Sequence, residues 1–167
     1  MDAPLHFGVN MQTIDAYQPE QLMGKAWVVS IAVQEAQHLI EIEDLGEIAE
    51  QFRAGDSLIF RTGWSQYLGQ AKYRDELPRI SESLALWCVE NQVKMLGVEP
   101  PSVADVNNLT EVTKIHQILL GGKIIIIEGL CKLDQLSKAE VLLIALPLKI
   151  HRGDGAPARV IALEEKT

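Results

Sequence analysis

Apolar positions in this chain fall into short runs that alternate between two spacings. Val28–Val33 is a β-branched run of the kind a buried strand requires. Ile40 and Ile42 alternate with Glu41 and Glu43, a second and shorter extended piece. Over Asp44–Phe52 the spacing lengthens, and Leu45, Ile48 and Phe52 share one helical face. Gly55-Asp56 turns the chain into an apolar strand at Ser57–Arg61. Gly63–Pro78 has no clean period and is rich in Gly, Tyr, Trp and Gln, the composition of a functional loop.

Ser81 is placed to cap a helix reaching about Asn91, with Leu84, Trp87 and Cys88 as its buried face. Met95–Val98 follows as a strand, and Pro100-Pro101 keeps Glu99–Asn108 irregular. Glu111–Leu120 predicts a helix closed by Gly121-Gly122 as a left-handed cap. Lys123–Ile127 is almost continuously apolar, which predicts a central strand covered on both faces. Val141–Leu146 is a second such run, and Arg159–Leu163 a more alternating one. Strands interleaved with helices predict an α/β fold, a mixed β-sheet with flanking helices, with residues 1–167 as a single domain.

Composition narrows the function. Hydrophobic residues are 47% of the 167 and charged residues 23%, enough apolar surface for a packed core. A net charge of −8 argues against a nucleic-acid partner, because phosphates would be repelled. The longest apolar stretches, Ala26–Val33, Lys123–Ile127 and Val141–Leu148, are far shorter than the ~20 residues a bilayer span needs, so no membrane partner is expected. Met1-Asp2-Ala3-Pro4 does not read as a secretory signal, and Cys88 and Cys131 stand apart without a C-x-x-C. Two reduced, packed thiols in a cytoplasmic protein are the expectation.

Candidate chemistry is sparse. Asp2 and His6, linked through Pro4, can aim two polar groups at one point, or can be solvated groups near a terminus. His116 lies on the helical face of Val112, Leu119 and Leu120, where an imidazole is either a satisfied core residue or a ligand. Glu128 ends a run of four isoleucines and precedes Gly129. A carboxylate leaving a buried strand needs water, a cation or a metal, and sites in open α/β sheets gather at the carboxyl ends of strands. His38 and His151 lie in polar surroundings and read as surface residues. Gly153-Asp154-Gly155 matches no phosphate-binding motif, and Ser65 and Ser102 sit in no nucleophile elbow. Trp64 and Tyr67 can line a pocket or pack against their own domain.

Met1-Asp2-Ala3-Pro4-Leu5-His6 resembles the last six positions of H-x-G-T-H-x-D-x-P-x-H, the signature of the cyclase family of metal-dependent hydrolases, to which the bacterial kynurenine formamidases belong. Further stretches resemble the family in order and spacing: Arg61-Thr62-Gly63-Trp64, Gly97 to Asp105, His116 with Glu128-Gly129-Leu130, Ala145-Leu146-Pro147-Leu148, and Gly153 to Arg159. The likeness covers essentially the whole chain. It implies a swivelling β/β/α cyclase-like fold and hydrolysis of amide or formamide bonds in a small-molecule substrate. By motif, Asp2, His116 and Glu128 would be metal ligands, for zinc or manganese, and His6 the catalytic acid/base. Such a cation acidifies a water toward pKa ~7 and polarises a carbonyl.

The H-x-G-T-H half of the signature, with two of the family's five ligands, precedes the first residue of this sequence. The resemblance therefore implies an N-terminally incomplete member of the fold, in which the cation is weakly held or absent and Asp2 is frayed. A misassigned start, a true truncation and a degenerate paralogue all fit. A homo-oligomer, dimer or larger, is expected. The rival expectation is a non-catalytic oligomeric remnant of the cyclase fold.

Overall fold

The computed structural model describes residues 1–165. Among these residues, eight strands occur in the order β1 (Met23–Ser30), β2 (Leu39–Ile40), β3 (Ser57–Arg61), β4 (Arg79–Ile80), β5 (Met95–Val98), β6 (Ile125–Ile127), β7 (Glu140–Pro147) and β8 (Ala158–Leu163). Four α-helices intervene: α1 (Ile48–Gln51), α2 (Ala71–Asp75), α3 (Glu82–Glu90) and α4 (Leu109–Gly121). Six strands form one mixed sheet in the order β6-β5-β3-β1-β7-β8, and β2 and β4 pair separately. The first four strands of that order run parallel, with Val28 opposite Ile59, Ile59 opposite Gly97 and Gly97 opposite Ile127. β7 and β8 continue the sheet antiparallel. The mixed α/β sheet expected from the alternating periods is therefore present.

Each sheet face carries its own core. On one, Phe60, Leu96 and Ile126 meet Leu84 and Cys88 of α3 and Ile115 and Leu119 of α4. On the other, Ile59, Ile125 and Val141 meet Ala3, Ile14 and Tyr17 from the N-terminal segment and Leu130 and Leu133 from the chain after β6. This second core draws residues 1–22 across the sheet and brings Asp2 alongside β6. Burial at Cys88 pushes its thiol up to about 12, leaving it unreactive. Cys131 is exposed, so only one of the two thiols is packed.

Several elements differ from their sequence signals for identifiable reasons. β1 begins at Met23, well before its apolar run, because Met23 to Trp27 pair with β7, and it stops at Ser30 opposite the end of β3. The helix expected over Asp44–Phe52 is reduced to α1, because Gly46 (φ 52°, ψ −135°) separates it from a 3₁₀ turn at Ile42–Leu45. That turn also takes Ile42 out of the second extended piece. Gly63–Pro78 contains a 3₁₀ turn at Trp64–Tyr67 and then α2. Trp64 is buried, donates its indole N–H to the Tyr73 carbonyl and packs edge-on against Tyr67.

β6 is not central. It is the outermost strand, yet its isoleucines are buried because both cores meet there and Asp2 bridges to Ile126 along its outer edge. β7 is buried on one face only, with Leu142 and Leu146 exposed. Ser81 caps α3 by accepting the Leu84 N–H, as its position predicts, whereas Trp87 is only partly buried. The end of α4 departs from the expected glycine cap. Gly122 has φ −75°, and the left-handed residue is Lys123. Gly122 serves close packing instead, since a Cβ there would lie 2.5 Å from a Val89 methyl.

Candidate metal centre

Three of the residues singled out by sequence come together at the carboxyl end of β6. Glu128 is the first residue beyond that strand, and α4 carries His116 toward it. Asp2 is held beside β6 by its own N–H bond to the Ile126 carbonyl, 3.1 Å. The Ala3 N–H bonds to the Asp154 carbonyl, and Met1 and Ala156 exchange two further bonds. Asp2 is thus pinned and 8% exposed, contrary to the frayed residue that its sequence position suggests. Ligand atoms of Asp2, His116 and Glu128 all lie within 4.8 Å of one another.

His116 is buried, with its ring stacked on Phe7 at 4.1 Å. Its Nδ1 lies 2.7 Å from the Val112 carbonyl, an acceptor only, so Nδ1 carries the proton. In the neutral ring the lone pair then sits on Nε2, which points at the carboxylates, 3.3 Å from Glu128 Oε1 and 3.9 Å from Asp2 Oδ2. A ring N–H tied to a carbonyl is the usual support of a ligating imidazole. Glu128 Oε1 also accepts the Val103 N–H at 3.1 Å, which fixes the carboxylate.

The electrostatics are those of a site short of positive charge. Burial, and then the neighbouring Glu128 charge, push the Asp2 carboxyl up to about 6. Burial acts to lower His116, but the hydrogen bond and charge of Glu128, the Val112 carbonyl and the Asp2 charge outweigh it, and the imidazole is raised. Asp2 Oδ2 is a buried oxygen with no hydrogen-bond partner among the described residues. An orphaned carboxylate oxygen, an imidazole lone pair and a second carboxylate make a donor set suited to a divalent cation. Donors about 2.0 Å from a tetrahedral ion stand about 3.3 Å apart, close to the separations found around His116.

His6 opens on the same side. It lines a cleft of about 450 Å³ with Asp2, Glu128, Tyr73, Pro101 and Asp154. All four sequence-predicted residues therefore face one neighbourhood, His116 from beneath and His6 from the rim. Sequence reasoning missed three neighbours. Phe7 braces His116. Asp154 Oδ2 lies 2.9 Å from His6 Nδ1. Glu99, 1% exposed at the end of β5, accepts the Ser65 N–H through its carboxylate and the Tyr73 hydroxyl through its carbonyl. Asp154 and Glu99 carried a signal only as members of the Gly153 to Arg159 and Gly97 to Asp105 stretches, and Phe7 carried none. His151 is exposed as expected, while His38 is partly buried.

A mixed α/β sheet with a carboxylate–imidazole cluster beyond its parallel strands defines an open α/β protein with a metal-type donor site. The chain belongs to the Cyclase family, whose model matches residues 1–105. It is 29% identical over 163 residues to a kynurenine formamidase from Erythrobacter litoralis, covering 98% of this chain and 70% of that protein. A kynurenine formamidase from Bacillus cereus is 26% identical, with 96% and 72% covered. Isatin hydrolase A from Ralstonia solanacearum superposes with a TM-score of 0.84 at 26% identity, over 98% of this chain and 70% of that one. Isatin hydrolase A from Labrenzia aggregata, 23% identical, shares the fold with a TM-score of 0.86 over 96% and 70%. Among the described residues, no helix is long and apolar enough to cross a membrane.

Proposed function

We propose that this chain is a metal-dependent hydrolase of amide or formamide bonds, acting on a small molecule in the cytoplasm. Asp2, His116 and Glu128 would hold one zinc or manganese ion. The observation that carries the reading is the buried, unpartnered Asp2 oxygen facing the His116 lone pair beside Glu128. The cation would polarise the substrate carbonyl and acidify a water. His6, on the rim, would hand a proton to the departing nitrogen, and Tyr73 and Pro101 would wall the cleft against bulk water. An aryl formamide such as N-formylkynurenine, a cyclic imide and an isatin-like lactam all present the carbonyl and leaving nitrogen that this arrangement suits.

The test is metal analysis and turnover on the intact chain. After zinc or manganese loading, about one equivalent should be retained, three protein donors and an open position being a complete catalytic set. Hydrolysis of an aryl formamide or lactam should follow the metal content. Retention no greater than that of His116→Ala would remove the chain from the metalloenzymes.

A second reading, a non-catalytic oligomer of this fold, draws support from β7 and β8. Leu142 pairs with Leu163 and Ile144 with Ile161, placing them on the sheet side that α3 and α4 cover farther along but leave bare here. Leu142, Leu146, Ile161 and Leu163 are each at least 44% exposed, a contiguous apolar face that favours association. Light scattering should therefore find a dimer or larger. A monomer would sink the oligomer, whereas an oligomer that takes up metal and hydrolyses nothing would favour the remnant over the enzyme.

A further inference from the structure

Asp154 is left unused by this scheme, yet its placement is specific. Its backbone carbonyl accepts the Ala3 N–H at 2.8 Å, tying it to the segment that presents Asp2 and His6. Its Oδ2 meets His6 Nδ1 at 2.9 Å, and both side chains line the cleft with Asp2 and Glu128. The bond to His6 holds the Asp154 carboxyl below the usual carboxylate range, so near neutral pH it is ionised and only accepts. His6 Nδ1 must then bear a proton in the neutral ring as well as the charged one. The remaining nitrogen, Nε2, is the one left to trade protons with whatever occupies the cleft.

We infer that Asp154 is a positioning residue that fixes His6 in the Nδ1–H tautomer, so that Nε2 is the atom that exchanges the proton with substrate. This rests on the hydrolase reading for its catalytic consequence, though not for its structural one. The dyad joins residues 148 positions apart, and the Ala3 N–H bond to the Asp154 carbonyl sets its register, one residue along from the Asp2 N–H bond to Ile126 that brings Asp2 to β6. An incidental surface ion pair would leave the ring free to use either nitrogen.

The two parts separate experimentally. In the whole metal-free chain with ¹⁵N-labelled histidine, the ring-nitrogen shifts of His6, identified by their loss in His6→Gln, report the tautomer of the neutral ring. Wild type should show the Nδ1–H form. Asp154→Asn, isosteric at a solvent-facing position, offers its amide as a donor and should move the population toward Nε2–H. An unchanged tautomer in Asp154→Asn overturns the inference. In the zinc-loaded chain the same variant should lose about 10–100-fold in kcat on an aryl formamide, part of the 10²–10⁴ that a positioned acid/base contributes. KM and bound zinc should be unchanged, and Asp154→Glu should restore part of the rate. A kcat equal to wild type would overturn the positioning role even with the tautomer changed. Wild-type chain that hydrolyses nothing would sink the hydrolase reading alone, because the nitrogen shifts still decide what Asp154 does to His6.

Discussion

Asp2→Asn should make the metal-free chain more stable at pH 7 while abolishing its response to zinc. Asp2 is buried, one of its oxygens has no partner, and burial together with Glu128 raises its carboxyl from 3.8 to about 6. A raised carboxyl favours the protonated folded state. Its contribution is fully present below about pH 4 and is lost as pH rises through about 6. Above that window the ionised group costs on the order of 2–3 kcal/mol relative to a neutral one, since each tenfold change in proton affinity between the folded and unfolded chain is worth about 1.4 kcal/mol. Asparagine has no such charge, and its amide can donate to Glu128. Thermal melts at pH 7 should show Asp2→Asn about 4–10 °C higher, by the ordinary scaling for a chain of this size, with the difference vanishing near pH 3.5. Added zinc should raise the wild-type midpoint and leave the variant unmoved. A variant less stable than wild type at pH 7 would mean that Asp2 is not held as an uncompensated charge.

The sequence disclosed this site unevenly. Glu128 was legible from local pattern, since a carboxylate directly after four isoleucines has to emerge at a strand end. His116 was ambiguous, because an apolar helical face predicts burial equally for a core imidazole and a ligand. Its role turns on Val112 and Phe7, one a turn away on α4 and the other in a segment 109 positions earlier. Asp2 and His6 were legible only through the family resemblance, and their ordering comes from Ile126, Asp154 and Ala156, which no local pattern links to the N-terminus. The fold behaved similarly. Ser57–Arg61 and Met95–Val98 followed their apolar runs because both faces of each are buried. β6 has the same hydrophobic signature at the sheet edge, since the run records burial and not strand order. α1 and the end of α4 depended on Gly46 and on Val89, respectively a backbone angle and a distant neighbour.

Glu128→Gln should cost the most at the site with the least disturbance of the fold. Gln retains an oxygen to accept the Val103 N–H, so the anchor beyond β6 survives while the charge facing His116 is lost. Removing one partner from a buried charge cluster costs about 3–5 kcal/mol, or roughly two to four orders of magnitude in cation affinity. Hydrolysis should fall in parallel. Titration of zinc into the two proteins across pH gives a second, independent signature. The cation competes with protons for its ligands, and in wild type that competition begins as pH falls through the raised value of His116, above 6.5, and steepens toward two protons below about 6, where Asp2 also protonates. Glu128 is the main influence lifting His116 and the second on Asp2, so the Gln variant should bind more weakly and also begin to lose the cation at lower pH. Weaker binding with an unshifted pH profile would place Glu128 outside the cluster that governs both ligands.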